Sequence, residues 1–332
     1  MTGPSVAVVI PSYNHGRFIA GTLESVFRQT RPPQEVHVID DGSTDDSVAV
    51  IERAFAGAGA IRCFLTVREN RGISATRNDL SAATTTDFVA FLDSDDLYAP
   101  TRLERLLANA PRRAPFLAFS GVDFMGDAPE DLRRWHTVYR LKLEEGMSFP
   151  TAGFALLRSN IAISASNFVV NRALLDAVGG FDDRIRICQD WDFAVRALRF
   201  VEPTFVPEPL LCYHLHAQNT SRQWQGTWEV DLVVDKLCEW ILARTDNPLA
   251  PTPHNWPHYF RIFARLNTGD AGRALAARLP WPSLAGARGV APSKDSAAIR
   301  RLIAASQAGA SVEELPLHAL MHRCGEAWGG RP

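Results

Sequence analysis

The sequence predicts an α/β fold in which helices flank a doubly wound, mostly parallel central sheet, with a helical C-terminal extension. Within the first hundred residues, short apolar runs alternate with helical patterns four times, the order expected for parallel strands joined by crossover helices. Polar residues follow the ends of these runs, where open sheets bind ligands. The 332 residues, of which 46% are hydrophobic, can bury one large core or two smaller ones.

Four strand–helix units are predicted in order. Nearly continuous apolar runs favour buried strands at residues 6–10, 35–39, 61–67 and 88–92. Apolar residues at helical spacing favour helices at 16–29, 43–55, 72–83 and 101–110.

The pattern is weaker after residue 110. Residues 121–150 carry Trp135 and Tyr139 among charges and are predicted to be an irregular insertion or a mobile loop. The prolines between residues 248 and 257 predict a hinge, and the Ala- and Arg-rich remainder is predicted to be mostly helical. The other predicted elements are strands at 116–119, 164–170, 204–206 and 210–215 and helices at 190–200 and 231–243.

Composition limits the classes of partner and location. The formal net charge is −2, so no nucleic-acid binding is indicated. The five cysteines are scattered and never spaced as Cys-x-x-Cys, which indicates neither a zinc site nor a disulfide framework and fits a reducing cytosol. The first residues do not resemble a signal peptide, and no apolar stretch is long enough to span a bilayer. We therefore expect a cytoplasmic location.

Three carboxylates follow the apolar run at residues 88–92. Asp93, Asp95 and Asp96 cannot enter a buried sheet without partners, because an unpaired buried charge is expensive. At the carboxyl end of a central strand they would face a ligand crevice, where clustered oxygen donors suit Mg²⁺ or Mn²⁺ bound with phosphates. Taken alone, the same residues equally fit a solvated turn with a helix cap.

Two phosphate-binding motifs are missing from the sequence. Pro11-Ser12-Tyr13-Asn14 follows the first strand, where a dinucleotide-binding oxidoreductase would carry Gly-x-Gly-x-x-Gly. No glycine-rich loop ends in Gly-Lys-Ser or Gly-Lys-Thr, which argues against a P-loop NTPase. A nucleotidyltransferase would also need a glycine-rich loop near the first strand. A nucleotide would therefore be held by side chains and a metal ion.

Four segments in order resemble the motifs of family 2 glycosyltransferases, which have the GT-A fold. They are residues 7–14 (Ala-Val-Val-Ile-Pro-Ser-Tyr-Asn), 38–45, 70–78 and 91–96, the last being similar to the family's DxD motif. The resemblance is strong over residues 5–110, patchy to Ser221 and absent beyond. It implies a catalytic domain at 1–225, with a nucleotide-sugar half at 1–110 and an acceptor half at 111–225, and a mainly helical region at 226–332.

The resemblance implies an inverting, metal-dependent glycosyltransferase. The donor would be a nucleoside-diphosphate sugar, expected to be UDP-linked, and the acceptor a hydroxyl of a saccharide or of a lipid-linked molecule in polysaccharide synthesis. A non-catalytic nucleotide-sugar binding or scaffold protein that keeps the fold is the alternative. Its support is the weak pattern in the middle of the chain and Gln189, which stands where the family has the first of two acids. Leu80 also replaces a usual glycine, which indicates altered packing.

By resemblance, the nucleotide sugar lies at the ends of the first strands. Asp41 would accept a hydrogen bond from a uracil-like imide, and Arg71 would close over the base. At its strand end, Asp41 could equally cap the following helix. Asp45 suits that cap better, which leaves Asp41 freer to bind. The resemblance assigns seven residues to this site: Pro11, Tyr13, Asn14, Asp41, Arg71, Asp93 and Ser94.

The resemblance places a metal ion, Mg²⁺ or Mn²⁺, at the acids after the fourth strand. Asp95 is the direct ligand expected, and Asp93 is shared between the metal and the ribose. Asp96 stays undecided between binding and capping a helix. His216 matches the family's histidine near the metal through its spacing to Asn219 and Ser221, although a single histidine is more often structural than a ligand. The predicted metal ligands are Asp95, Asp93 and His216.

A general base is needed because an acceptor hydroxyl is a poor nucleophile at neutral pH. By resemblance to the family's acceptor-side segment, Asp190 is the base, although an acid in the first turn of a helix is also favoured by the helix dipole.

The C-terminal region is basic. Ten Lys and Arg stand against five Asp and Glu from Trp256 to the end, a net charge of +5 that leaves −7 for residues 1–255. Such a region could bring the enzyme to the inner face of a membrane that holds a lipid-linked acceptor. An ordinary helical cap with arginines on its solvent face is the alternative, and we favour it slightly.

Overall fold

The computed structural model describes residues 3–219 and eight later residues, and the predicted fold class is confirmed for this part. The predicted helix at 231–243, the proline hinge and the helical remainder lie almost entirely outside the described residues. The later described residues are Glu229, Leu232, Val233, Lys236, Leu249, His258, Glu326 and Trp328.

In the part of the chain that the structure describes, eight strands form one mixed sheet in the order β3-β2-β1-β4-β7-β6-β8-β5. Strands β1, β2 and β4 are buried along their whole length, as expected for a sheet covered on both faces. The β3–β2–β1–β4 half is parallel, and β7 continues the sheet antiparallel to β4. The strands are β1 (Val6–Ser12), β2 (Glu35–Asp40), β3 (Arg62–Val67), β4 (Phe88–Phe91), β5 (Leu97–Tyr98), β6 (Leu117–Gly126), β7 (Val169–Asn171) and β8 (Thr204–Leu215).

Eight α-helices flank this sheet in the described part of the chain. The first three alternate with the parallel strands, as predicted. They are α1 (Gly16–Phe27), α2 (Ser47–Phe55), α3 (Ile73–Ala83), α4 (Arg102–Leu106), α5 (Pro129–Met147), α6 (Ala152–Arg158), α7 (Arg172–Val178) and α8 (Gln189–Ala197).

The prediction of an irregular segment at 121–150 is wrong. Strand β6 continues to Gly126, and most of the remainder is the long helix α5. The helix buries only a narrow stripe containing Tyr139, Leu143 and Gly146. Because charged residues occupy half of its other positions, its apolar periodicity is weak in the sequence.

Two strand predictions are corrected in detail. Residues Ala165–Asn167 form a 3₁₀ turn, because Ser164 accepts a hydrogen bond from Ser166 N–H, and only Val169–Asn171 forms a strand. The two strands predicted around Pro207 and Pro209 are one strand, β8, whose register against β6 shifts near Gly121. The shift accommodates prolines that cannot donate to a regular ladder.

The parallel strands end at the same edge of the sheet. Ser12, the last residue of β1, pairs with Asp40, the last residue of β2, and Val9 pairs with Phe91 at the end of β4. The residues that follow these strands therefore meet at one place. No helix in the described part of the chain is long and apolar enough to cross a membrane.

Candidate active site

A cavity of about 970 Å³ opens at the carboxyl ends of the parallel strands. Its lining also includes the start of α3, the turn before β7 and the residues around the start of α8. The structure thus brings residues from the two halves of the predicted domain to one cavity. The predicted site residues that line it are Pro11, Tyr13, Asn14, Asp41, Arg71, Asp93, Ser94, Asp95 and Asp190.

One part of the lining combines an aromatic ring with a cation. Tyr13 follows β1 and is 49% exposed, so its ring offers a flat apolar surface on which a base can stack. The Arg71 side chain is more than half exposed and donates to Asp79 Oδ2 at 2.7 Å. An accessible guanidinium suits phosphate groups. The roles of Tyr13 and Arg71 in nucleotide binding stay predictions.

The premise that Asp41 is free to bind a ligand is wrong. Its carboxylate accepts hydrogen bonds from the backbone N–H groups of Arg71 (3.1 Å) and Gly72 (2.9 Å). It also accepts one from Arg68 Nε at 2.9 Å. Asp41 therefore ties the end of β2 to the loop before α3. Its predicted contact with the base stays a prediction and would have to use the remaining hydrogen-bonding capacity of this carboxylate.

The turn between β1 and α1 directs His15 toward the residues after β4. Asn14 has a left-handed backbone (φ 54), which asparagine adopts more readily than most residues. Its N–H donates to Ser43 Oγ, and its side-chain oxygen accepts from Thr44 N–H, both at 2.8 Å. His15 Nδ1 then lies 2.7 Å from Ser94 Oγ. The side chain of Asn14 thus fixes the turn; its predicted contact with the nucleotide sugar stays a prediction.

Three potential metal ligands lie together. His15, Asp95 and His216 each offer one donor atom, and these atoms lie within 4.8 Å of one another. His216 Nε2 is 2.8 Å from Asp95 Oδ2, and His216 Nδ1 accepts from Gln218 N–H at 3.2 Å. The structure thus brings the predicted pair Asp95 and His216 together. It adds His15, which the sequence did not suggest.

Asp93 lies in a different network from Asp95. Its carboxylate pairs with Arg77, which is 2% exposed, and accepts a hydrogen bond from Ser164 Oγ at 3.0 Å. Burial alone would raise the pKa of Asp93, but the Arg77 guanidinium holds it below its usual value. Metal binding by Asp93 stays a prediction, and a metal ion there would compete with Arg77 for the carboxylate.

The structure resolves the undecided role of Asp96 in part. Its Oδ1 accepts from His214 N–H at 3.0 Å, so Asp96 supports β8. A helix cap is excluded, because Thr101 holds the N-cap position of α4. Burial, and then the charges of Asp95 and Asp93, raise the pKa of Asp96 well above its usual value.

Asp190 lies in the first turn of α8 and is 9% exposed. Its Oδ1 accepts from Trp191 N–H at 2.7 Å, and its Oδ2 accepts from Asn160 Nδ2 at 2.8 Å. Burial raises the pKa of Asp190 to about 6, although Arg77 and these hydrogen bonds oppose the rise. A carboxylate with this pKa is ionised at neutral pH and basic enough to serve in general base catalysis.

The sequence model described as glycosyl transferase family 2 matches residues 7–179, more than half of the chain. The chain belongs to this family. The matched segment includes the DxD-like acids and Arg77, whereas Asp190, His216 and the described residues beyond them lie outside it.

Three known proteins show how far the glycosyltransferase similarity extends. Chondroitin synthase of Escherichia coli is 27% identical over 220 residues, which cover 66% of this chain and only 30% of that protein. S. aureus TarS 1-349, crystallised with UDP, superposes with a TM-score of 0.58 at 17% identity and covers 83% of this chain and 75% of that chain. A mannosyltransferase from Pyrobaculum calidifontis, in complex with GDP-Man and Mn2+, superposes with a TM-score of 0.53 at 16% identity. The superposition covers 100% of this chain and 89% of that chain. The two structures support the fold alone.

Gln189 stands where the resemblance to the family implies an acid. With its amide oriented to satisfy both ends, Nε2 donates to Ile187 O at 2.6 Å and Oε1 accepts from Arg77 Nη1 at 3.0 Å. An acid at this position would compete with Asp93 for the Arg77 guanidinium. The neutral Gln189 amide keeps a hydrogen bond with Arg77 and does not compete with Asp93 for the positive charge of the guanidinium.

Besides His15, two residues that surround Asp190 were missed in the sequence. Asn160 binds Asp190, and its backbone oxygen accepts from Lys142 Nζ at 3.2 Å. Burial lowers the pKa of Lys142, and the nearby charge of Asp190 opposes this effect. Lys142 lies in α5, whose helical pattern is weak, and Asn160 lies in a loop where no sequence pattern marks it.

Proposed function

We propose that this chain is an inverting, metal-dependent glycosyltransferase. It would move a hexosyl group from a nucleoside-diphosphate sugar, most simply a UDP-sugar, to a hydroxyl of a saccharide or lipid-linked acceptor in polysaccharide synthesis. Membership of glycosyl transferase family 2 supports the class of reaction. The name of chondroitin synthase supports a polysaccharide product, and the UDP complex of TarS supports the nucleotide.

One observation carries the proposal: a single cavity is lined by three kinds of group that glycosyl transfer needs. Tyr13 and Arg71 offer a surface for a base and phosphates, and Asp95 belongs to a cluster of metal-ligating side chains. Asp190 contributes a buried carboxylate whose pKa is raised to about 6. A buried cleft residue whose pKa is shifted by desolvation and by named charged neighbours is a candidate for a functional group.

In the proposed reaction, ionised Asp190 takes the proton of the acceptor hydroxyl while the hydroxyl oxygen bonds to the anomeric carbon of the donor. The bond from that carbon to the diphosphate oxygen breaks, and the nucleoside diphosphate leaves with the electron pair. Attack opposite the leaving group inverts the anomeric centre. Asn160 and Trp191 N–H each fix one oxygen of the base, which holds the carboxylate in one orientation.

The cluster of His15, Asp95 and His216 fits a divalent metal ion. Its donor set is one carboxylate oxygen and two imidazole nitrogens. Mg²⁺ is bound mostly through oxygen, whereas imidazole suits transition metals, so this donor set favours Mn²⁺ over Mg²⁺. When bound, the ion would neutralise charge on the departing diphosphate.

Replacing His15 by Ala is expected to weaken Mn²⁺ binding in the presence of UDP by roughly tenfold or more, because one ligand is lost. Electron paramagnetic resonance of free Mn²⁺ in a titration measures this without any transfer assay. His214→Ala is the matched control, since the His214 ring packs 5.4 Å from His216 but lies outside the cluster. Equal affinities for wild type and His15→Ala would remove His15 from the ligand set.

The donor is identified by thermal unfolding with a panel of nucleotide sugars, each tested with and without Mn²⁺. A ligand at a hundred times its Kd stabilises the native state by about 2.7 kcal/mol, which raises the Tm by roughly 5 °C in a protein of this size. We expect the UDP-sugars to contain the strongest stabiliser and Mn²⁺ to enlarge its effect. A panel in which neither UDP nor any nucleotide sugar shifts the Tm would contradict the proposed function.

A further inference from the structure

We infer that Glu229 is a positioning residue whose carboxylate holds the loop that brings Gln189 and Asp190 to the cavity. Glu229 lies beyond residues 7–179, the part of the chain that matches the family. The role of Asp190 as a base rests on the proposed function, whereas the contacts of Glu229 do not depend on it.

The Glu229 carboxylate accepts hydrogen bonds from three consecutive backbone N–H groups. Arg186 N–H donates to Oε1 at 3.0 Å, and the N–H groups of Ile187 and Cys188 donate to Oε2 at 2.8 and 2.9 Å. Glu229 is only 5% exposed. Three N–H donors on one buried carboxylate fix the position of the backbone that carries them. Cys188 is the N-cap residue of α8, so its N–H has no partner within the helix.

The held loop forms part of the cavity wall. Arg186, Ile187, Gln189 and Asp190 all line the cavity, while the backbone between residues 186 and 188 bonds to Glu229. The position of Asp190 is therefore set from two sides, by Asn160 at its carboxylate and by Glu229 at the backbone that precedes its helix.

Lys236 adds a second contact to the same segment. Its Nζ donates to Asp182 Oδ2 at 2.7 Å and to Asp192 Oδ1 at 2.5 Å. Asp182 lies ahead of the loop and Asp192 lies in α8, so Lys236 joins the two ends of the segment 182–192 while Glu229 holds its middle. Val233 is fully buried in the core and lies between Glu229 and Lys236 in sequence.

The contacts predict a selective effect. Loss of the Glu229 carboxylate leaves three N–H groups without their acceptor, so the loop and the first turn of α8 should open more often. The opposite part of the lining is held by Asp41 and Asn14 through separate hydrogen bonds. UDP binding should therefore survive a change that disturbs Asp190.

The test compares Glu229→Ala and Glu229→Gln in the full chain. Glu208→Gln is the matched control, because Glu208 pairs with Arg105 on the surface. We expect the amides of residues 183–191 to exchange with D₂O at least about tenfold faster in Glu229→Ala, with a smaller effect in Glu229→Gln, which keeps one acceptor oxygen.

Two further measurements follow the same loop and the cavity. The Cys188 thiol, 6% exposed in the wild type, should become reactive to a maleimide. UDP affinity with Mn²⁺, measured by calorimetry, should stay near the wild-type value while kcat for transfer falls at least tenfold.

Unchanged exchange of residues 183–191 and unchanged labelling of Cys188 would overturn the inference. A loss of UDP affinity as large as the loss of kcat would also overturn it, since a general structural defect would affect the two equally. If Glu229→Ala does not fold, Glu229→Gln and Lys236→Met provide the same measurements. If the wild type transfers no sugar, the proposed function fails, and the exchange and labelling results still decide the role of Glu229.

Discussion

Replacing Asp190 by Asn is expected to lower the transfer rate by about a thousandfold, which lies within the range that general base catalysis contributes. The amide is close in size to the carboxylate but cannot take the proton of the acceptor hydroxyl. UDP affinity should stay near the wild-type value, because Asp190 belongs to the predicted acceptor half and not to the predicted nucleotide-sugar half. The measurements are kcat with the donor found in the panel and the Kd of UDP by calorimetry. Asp176→Asn, an exposed change in α7, should leave kcat unchanged.

The same substitution should not destabilise the protein at neutral pH. The folded state raises the pKa of Asp190 to about 6, so ionised Asp190 costs folding free energy above pH 6, at most about 3 kcal/mol for a shift of about two pKa units. Asn removes this cost and loses one of two hydrogen bonds, worth about 1 kcal/mol. At pH 7.5 the variant should melt at or above the wild-type temperature. A drop in Tm that parallels the drop in rate would indicate a structural role instead.

The pH dependence of the wild type follows from the same group. Below pH 6, Asp190 is protonated and cannot act as a base, so kcat should fall as the pH falls through about 6. The stability of the folded state should change in the opposite direction. The folded protein binds the proton of Asp190 more tightly than the unfolded chain does, so the destabilisation that ionised Asp190 causes becomes smaller as the pH falls from about 6 toward about 4. Arg77, Asp93 and Lys142 are the charged groups near it. A rate that is flat down to pH 4.5 would contradict its assignment as the base.

The fold of the first hundred residues could be predicted, because buried strands in this part of the chain produce a clear pattern of apolar residues. Strands β1, β2 and β4 are buried on both faces, so they appear as apolar runs that few other structures would explain. The boundaries of the predicted elements were less accurate than their type and order. Helix α2 begins at Ser47 rather than near Ser43, because the residues before it form turns. In these turns the Asp40 carboxylate accepts a hydrogen bond from Ser43 N–H, and the Asp45 carboxylate accepts one from Ser47 N–H.

The middle of the chain could not be predicted to the same degree, since its elements bury less of their surface or are irregular. Helix α5 contacts the core through a narrow stripe around Tyr139 and Leu143, and its remaining charges hide the helical period. Strand β8 contains two prolines and a register shift, which split its pattern into two short strands. In both elements, tertiary contacts decided the structure against a weak local signal.

The candidate site was predicted where residues follow strand ends, and missed where residues act through a partner. Asp41 and Asp190 were identified through the family resemblance, and Asp95 also because three acids follow a buried apolar run; the structure places all three on the cavity lining. His15 carries no such mark. It reaches Asp95 because Asn14 turns the chain there, and contacts of this kind depend on the fold.

Replacing Arg77 by Met is expected to lower the free energy of unfolding by about 3 kcal/mol, because it leaves a largely buried carboxylate without its counter-ion. Arg77 is 2% exposed, and its guanidinium pairs with Asp93. Ser164 Oγ and the 22% exposure of the Asp93 side chain soften the loss. Urea unfolding followed by circular dichroism measures it. Arg105→Met removes an exposed pair with Glu208 and should cost no more than about 1 kcal/mol.

The double variant Arg77→Met, Asp93→Asn separates the lost pair from lost packing. If the buried charge causes the destabilisation, neutralising Asp93 should recover a large part of it, so the two substitutions will not add. Simple additivity would instead assign the cost to the Arg77 side chain, which packs 5.4 Å from the centre of the Phe181 ring and contacts Gln189. Because Arg77 touches Asp93 on one side and Gln189 on the other, its charge links the strand-end acids to the helix that carries Asp190. Transfer activity should therefore stay low in the double variant even where stability returns.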